Sequence, residues 1–583
     1  MSSSPPSIRG RSHQHGWIFG LTVLGLERPQ RAQFHDLKMI RPASLSANRS
    51  VAVAATLFAV VGLLLQWWKL QSLTASYDQG IFLQVLWNGL HGHPFESTLS
   101  SQLSTNVVHS GQLPQLGYHR LGQHFTPTLA LWIPLVGLLG ALALPLVQVG
   151  LMTAAGLMLH RLALQRLKPA TAAALAIAFF GANAVVGPTW GNFTDLCQLP
   201  LLFFALVLGL RLRRPWLVGV SALLIPLIRE DTGVLLVGVG LWLWSREARR
   251  WPLALALILY GAGWVALVTN VLMPLFSEDN ARRFMIENFG QYVQGTTRAS
   301  SLEVLRQALQ QPAVLLHELV HPPLETLRYL AGQGLPLLFV PLISADAWLL
   351  MGLPLLALLL AQGSNNPLSI NIRYALLVVP GLFVGALCWW ERHPQLQSSR
   401  RLRHLWQGCI GLSLLFALMA NPNRSLSFVI PDSIQPWVYA SPVAQWRHGQ
   451  RAREALAVIP SQASVSASTN LVPQLAQRFV LVRFPKATAY LNRERQVQPV
   501  DWVAVDLNWL ERYSKAFDED RETLEASVEW LSQPQLNYGP VSVRDGVVVL
   551  QRHAAPEPEL DRQLQALLSR LQRQLHQNDA PDP

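Results

Sequence analysis

Long apolar runs follow one another from residue 51 to about residue 421, and charged residues are confined to the gaps between them. A helix needs about 20 apolar residues to cross a hydrocarbon layer about 30 Å thick, and its backbone bonds close within the segment. The runs predict a mainly α protein, a polytopic transmembrane bundle with spans at 51–70, 141–160, 170–188, 196–211, 215–229, 232–245, 252–275, 326–343, 345–361, 374–390 and 405–421. These make about eleven crossings. The stretch 125–140 is apolar as well, but a crossing there would reverse every later loop; with Pro127, Pro134 and Pro145 it reads as a re-entrant or kinked approach. Ahead of it, Phe82, Val85, Leu86 and Leu90 share one helical face, which predicts a helix from Gln79 to Leu90 lying in the membrane interface.

After Asn421 the apolar runs end. Short strands are expected at 463–468, 479–484 and 501–506, and a hairpin over Val541–Gln551 around Arg544-Asp545-Gly546. Helical stretches such as Leu471–Gln477 lie between them, so parallel pairing in a small α/β domain is expected. This region has neither a Gly-rich phosphate loop nor a nucleophile elbow, which assigns it acceptor binding or packing rather than chemistry. Leu564, Leu567, Leu568, Leu571 and Leu575 then recur at helical spacing, predicting an amphipathic helix that docks or self-associates. The expected organisation is a disordered basic extension at 1–48, the bundle at 49–425 with its first outer loop at 71–124, the α/β domain at 426–555, and the helix with a polar tail at 556–583.

Composition and charge narrow the class. Of 583 residues 50% are hydrophobic and 14% charged, a membrane composition. The net charge of +12 does not indicate nucleic acid, because the arginines cluster beside apolar runs, where they meet membrane lipids and fix topology. Arg161, Arg166 and Lys168, then Arg211, Arg213 and Arg214, then Arg246, Arg249 and Arg250, then Arg392, Arg400, Arg401 and Arg403 alternate with nearly uncharged gaps. The positive-inside rule places the amino end in the cytoplasm and the carboxyl-terminal domain outside, in a bacterial plasma membrane. No signal-peptide cleavage pattern follows the run at Val51, so it is expected to stay as an anchor; Met39 opens a short lead-in and is an alternative start. Cys197, Cys388 and Cys409 all lie in or beside apolar segments and read as buried thiols rather than a disulfide framework.

Under this topology the ionisable residues collect on one face. Asp78, His119 and His124 fall in the first outer loop, Asn192 and Asp195 in the second, Arg229, Glu230 and Asp231 in the third, Asn280 and Arg282 in the fourth, and Asn371, Arg373 and Tyr374 in the fifth. Ionisable groups at membrane depth cost several kcal/mol and so face a cavity or a partner. Each has a plainer reading. Asp78 suits the cap of the following helix, Glu230 and Asp231 a turn with a local ion pair to Arg229, and Arg373 a snorkelling anchor. His119 and His124, five apart, miss the spacing of a helical metal pair, and the triplet Asn192-Phe193-Thr194 fits a glycosylation site only as chance does.

The stretches Tyr77-Asp78-Gln79-Gly80-Ile81-Phe82 with Trp87-Asn88, Gly122-Gln123-His124-Phe125-Thr126-Pro127 and Arg229-Glu230-Asp231-Thr232-Gly233 resemble the membrane proteins of domain-of-unknown-function family 2079. The resemblance continues through Arg373-Tyr374, Pro380, Ala463 to Ser468, Leu475 to Arg478 and Asp501 to Asp506. That family is in turn similar to the GT-C glycosyltransferases, which use polyprenyl-phosphate sugars. The resemblance implies a lipid-linked sugar donor, an essential acid in the first outer loop at Asp78, and a helping acid at Glu230 or Asp231. One departure stands out: Arg373 occupies the position where a His beside the Tyr is expected.

The transfer chemistry needs a base for the acceptor and cations for the departing phosphate. Asp78 suits the base. Glu230 and Asp231 suit acceptor positioning or a divalent cation, and Arg229, Arg282 or Arg373, with His124 and Tyr374, suit substrate binding. A transporter or flippase and a non-catalytic envelope assembly protein stay open, as do sugar, acceptor, metal and oligomeric state.

Overall fold

The computed structural model of the chain describes residues 45–277, 280–293, 299–361, 368–533 and 537–578. Most of the expected extension at 1–48 lies outside these residues, and its last four residues already belong to helix α1, Leu45–Gln71. Among the described residues five helical stretches are long and apolar enough to cross a membrane: Ser46–Gln71, Pro127–Leu164, Asp195–Leu212, Ala248–Phe276 and Arg400–Met419. A sixth arises if Pro169–Gly181 and Asn183–Gly191, bent by 43°, form one span. Pro215–Leu227, Gly233–Arg246 and Ala345–Leu360 are apolar but shorter.

Two segments differ from a straight crossing for identifiable reasons. The expected span 326–343 breaks after helix Pro323–Gly334 into two short 3-10 turns; Leu338 and Phe339 adopt left-handed φ of 57° and 59°, flanked by Pro336 and Pro341, which lack an amide donor. The 125–140 stretch is a 3-10 turn, Pro127–Trp132, and a seven-residue helix, Ile133–Leu139, which ends at Gly140 with φ of 56°. It forms the kinked lead-in to helix Ala143–Leu164, as its prolines suggest.

Helix α2, Tyr77–Leu90, corrects the interfacial reading. It begins two residues earlier than expected, and every residue from Gln79 to Asn88 is buried. Its amides find partners inside the protein: Gln84 donates to the Thr98 hydroxyl and the Arg478 carbonyl, and accepts from the Ser97 hydroxyl at 2.7 Å; Asn88 donates to the Glu96 carbonyl at 2.8 Å, while its buried Oδ1 has no partner. Buried amides need such partners, and a one-sided hydrophobic pattern with amides opposite also fits a fully enclosed helix.

The carboxyl-terminal region holds the expected sheet. Its strands β1 (Val465–Ala467), β2 (Leu481–Arg483), β3 (Trp502–Asp506), β4 (Tyr538–Arg544) and β5 (Val547–Arg552) lie in the order β2-β1-β3-β5-β4. β2, β1 and β3 run parallel, and β5 is antiparallel to β3 and β4. The β4–β5 turn uses Asp545 and Gly546 with φ of 52° and 79°, the backbone that a tight hairpin of matching twist requires. Alternation divides the sheet faces. Trp502, Ala504, Val547 and Val549 join the core shared with the bundle, whereas Val503, Val505, Val548 and Leu550 face a second core. The carboxyl-terminal helix Pro558–Asn578 docks there through Leu564, Leu568 and Leu571. Bundle and sheet belong to one compact unit. The segment that follows α2 closes the sheet edge, for Thr98 accepts from the Leu481 amide and donates to its carbonyl, and Gln102 does the same with Arg483.

A buried imidazole staples helix Pro442–Leu456 to the sheet. His448 lies between Asp506, at 2.8 Å, and Asp545, at 2.9 Å, and Asp506 also caps the helix after β3 by accepting from the Trp509 amide. Burial alone would discharge the ring, but Asp506 and Asp545 raise it from 6.5 to about 9. A group raised on folding stabilises fully below its unfolded value and loses that contribution as pH climbs through the folded one. Thermal unfolding of the purified chain is expected to lose about 3 kcal/mol of stability between pH 6.5 and pH above 9. His448→Gln should flatten that dependence, and an unchanged slope in the variant would assign the loss elsewhere.

Candidate functional site

The ends of the helices sort the charges. Asp195 opens the stretch Asp195–Leu212 and Arg211 closes it; Asp231 precedes Gly233–Arg246, which ends on Arg246; His124 precedes Pro127–Leu164, which carries Arg161 in its last turn. In these helices Asp195, Asp231 and His124 therefore lie at one end and Arg211, Arg246 and Arg161 at the other. At the arginine end the charges are paired: Asp346, buried, accepts from Arg246 and Arg392, and Glu391 from Arg211 at 3.0 Å.

At the other end five chain segments converge. Asp78 lies in the first turn of α2 and does not cap it; Ser76 holds the cap position, and the Asp78 carboxylate is paired with the Arg373 guanidinium. Hydrogen bonds on both sides fix Asp78. The Ser76 amide donates to the Asn192 side chain at 3.1 Å, and Gln79 Oε1 accepts from the Phe193 amide at 2.9 Å. The 192–195 loop is itself held by buried Gln148, which donates to the Asn192 carbonyl and accepts from the Thr194 amide at 2.7 Å. Two glycines permit the close approaches. A Cβ on Gly80 would lie 2.5 Å from Val472 in the carboxyl-terminal region, and one on Gly187 would lie 2.8 Å from the Asn371 Cα, two residues before Arg373.

Arg229 grips Asp231 with two hydrogen bonds, from Nε at 2.9 Å and Nη2 at 2.5 Å. Glu230 accepts from His124 Nδ1 at 2.9 Å and from the Phe125 amide at 2.9 Å. The Tyr374 ring lies beneath both Arg229, 5.4 Å from its centroid, and Arg373, at 5.2 Å. The two ring contacts join the Asp78–Arg373 pair to the Arg229–Asp231 pair.

Electrostatics follow from this crowding. Burial would raise the Asp78 carboxyl, but Arg373, then Arg120 and His124, hold it below its ordinary value. Burial likewise opposes the Glu230 carboxylate, and His124 and Arg229 override it. Asp78 keeps 35% side-chain exposure, Arg373 28% and Asp231 42%, so the paired groups still meet solvent, whereas Arg229 is enclosed at 4%. A part-exposed ion pair beside an enclosed cation suits the binding of an anion.

Of the residues singled out in the sequence, Asp78, His124, Arg229, Glu230, Asp231, Arg373 and Tyr374 come together. Arg282 does not: its side chain is exposed, and its backbone carbonyl accepts from the Ala299 amide at 3.2 Å. His119 is directed elsewhere, stacked on Phe276 at 4.4 Å. The placement of Asn280's side chain lies outside the described residues.

The sequence assigns no role to two cluster members, for it does not single out Arg120 and only places Asp195 in an outer loop. Arg120 is buried over the Phe82 ring at 4.7 Å, donates to the Ser100 hydroxyl at 3.4 Å and leaves Nε without a partner. Asp195, also buried, accepts from the Thr194 hydroxyl and the Leu196 amide, and its charge acts on Arg120, Arg229 and Arg373 alike. The one signal for Arg120 was its place four residues before His124; for Asp195 it was an acid opening an apolar run.

A divalent cation, one of the two roles open for Glu230 and Asp231, does not fit this arrangement. Both Glu230 oxygens are engaged by His124 and the Phe125 amide, both Asp231 oxygens by Arg229, and among the described residues no three His, Cys, Asp or Glu side chains form a metal-binding group.

A family profile described as "Predicted membrane protein (DUF2079)" matches residues 69–549. No curated protein matches the chain. A crystal structure of ArnT from Cupriavidus metallidurans bound to undecaprenyl phosphate is similar at 12% identity over 86% of this chain and 99% of that one, with a TM-score of 0.44.

Proposed function

The chain belongs to the DUF2079 family of predicted membrane proteins, and from that premise and the charge cluster we propose an integral-membrane glycosyltransferase that moves a sugar from a polyprenyl-phosphate donor to an extracytoplasmic acceptor. The observation that carries the reading is the Asp78–Arg373 pair, part-exposed and backed by Arg229 and Arg120. A donor phosphate entering the cluster competes with Asp78 for Arg373, because a guanidinium binds phosphate as well as carboxylate in the same forked geometry. Asp78, released from its cation, regains basicity at the moment the donor arrives.

In the reaction Asp78 takes the proton of the acceptor hydroxyl, the acceptor oxygen forms a bond to the anomeric carbon, and the carbon–oxygen bond to phosphate breaks with its electron pair. Attack opposite the phosphate inverts the anomeric centre. Arg373, Arg229 and Arg120 neutralise the leaving polyprenyl phosphate. Glu230 holds His124 and the 124–125 backbone in place, Asp231 orients Arg229, and Tyr374 supports both guanidinium planes.

The test is to incubate the purified chain with polyprenyl-phosphate sugars and follow release of free polyprenyl phosphate together with the anomeric form of the product. Release with inversion is expected; no release from any donor would overturn the reading. Arg282→Ala should leave turnover unchanged, since that side chain stands apart from the cluster. A carrier of lipid-linked sugar is the second reading, favoured by the 43° break between Pro169–Gly181 and Asn183–Gly191, a feature of transport bundles. A carrier would move the intact donor across vesicles without cleaving it.

A further inference from the structure

Beyond the last long apolar helix, residues 426–446 form a segment that the charge cluster does not use. Its centre is a small hairpin, Ser433–Ile434 paired with Trp437–Val438. The base is tied down on three sides by Asp432, whose carboxylate accepts from Asn421 at 2.8 Å, Ser427 at 2.7 Å and the Tyr513 hydroxyl at 2.7 Å. The tip is apolar and exposed, with Ile434 at 71% and Trp437 at 63%. A rigid base that presents a large aliphatic and an indole to the outside is not a scattered surface residue of the kind that needs no explanation.

What covers this tip is indicated by what adjoins it. Helix α1 exposes Val53, Leu57, Leu64 and Trp67 along one side, at helical spacing, as a lipid-facing stripe. Trp67, at the end of that stripe, packs on Trp446 at 5.8 Å, and Trp68 stacks on Trp446 and contacts Phe428 at 5.5 Å. Helix Arg400–Met419 ends at the same level, because Lys69 of α1 donates to the Asn423 carbonyl at 2.9 Å. The hairpin is therefore contiguous with the ends of two membrane-facing helices. From Ser433 to Gln445 the chain has no charged side chain, and exposed Arg447 follows. Aromatic residues with a flanking arginine are the composition that settles at the headgroup level of a bilayer.

We propose that the hairpin Ser433–Val438 is a lipid anchor, with Ile434 and Trp437 inserted at the headgroup–acyl boundary of the leaflet at which α1 ends. It holds the sheet against the membrane beside the α1 terminus.

The experiment uses the full chain with Cys197, Cys388 and Cys409 replaced by Ala, carrying Ile434→Cys or Trp437→Cys labelled with a polarity-sensitive fluorophore. Gln565→Cys, on the exposed side of the carboxyl-terminal helix, is the reference. In nanodiscs of phosphatidylcholine and phosphatidylglycerol, spin-labelled acyl chains should quench the label at 434 and 437 and leave 565 bright, while aqueous iodide should do the reverse. Two labelled positions guard against a local effect of either substitution. Labels at 434 and 437 that respond as 565 does would overturn the anchor. Disulfide linkage of two Ile434→Cys chains would assign the tip to a contact between copies and overturn it equally.

Discussion

Asp78→Asn is expected to lower sugar transfer by about 10²–10⁴-fold, the loss typical of removing a positioned general base. The chain should still fold. The substitution keeps the shape of the side chain, the flanking bonds through Ser76 and Gln79 do not involve the carboxylate, and the ion pair lost to Arg373 is part-exposed and so contributes little to stability. Donor binding should be kept or strengthened, since Arg373 no longer has a competing carboxylate. The signature is a fall in kcat without a rise in the donor KM, measured on purified protein whose thermal unfolding matches the parent. Transfer at the parental rate would remove Asp78 from the reaction.

Arg373→Ala is expected to give a different signature. Losing a cation aimed at the departing phosphate costs about 10²–10³-fold in turnover, and here the donor KM should rise as well. The pH profile provides a second reading. With Arg373 present, Asp78 stays below its ordinary carboxylate value; without it, burial acts with less opposition and raises the group. A base works only when deprotonated, so the acid limb of kcat/KM should move to higher pH in the variant. An unmoved limb would mean that the Asp78–Arg373 pairing has no part in setting the active protonation state. Arg373→Lys should restore the limb in part, because it restores charge, while leaving KM raised for want of a planar fork.

Much of this was legible in the chain. The alternation of arginine-rich and uncharged gaps pointed to Asp78, Glu230 and Asp231 as neighbours of one another, and the structure brings them together with Arg373 and Arg229, while Arg211 and Arg246 lie at the far ends of their helices. The strands at 463–468, 479–484 and 501–506 and the Asp545-Gly546 turn were visible because a period of two and a left-handed turn pair leave strong local marks. What local pattern does not encode is enclosure. Phe82, Val85, Leu86 and Leu90 read as one apolar face, yet only the three-dimensional structure shows that Gln84 opposite them is matched by loop backbones and hydroxyls and that Asn88 donates to the Glu96 carbonyl. Arg120 escaped notice for the same reason, since the acids that act on it, Asp78, Asp195 and Glu230, lie 42, 75 and 110 residues away in the chain. The break in 326–343 was signalled by Pro336 and Pro341 but outweighed by continuous apolar composition.

The burial of α2 has a consequence for how this protein can be divided. The helix that carries Asp78 leans on Val472 at Gly80 and hangs from the Arg478 and Phe479 carbonyls at Gln84. Part of what holds the helix carrying the carboxylate is therefore made by residues translated almost four hundred positions later. A truncated chain ending after Met419 would not be a smaller version of the same machine, and sequence drift in the α/β layer would be felt at Asp78.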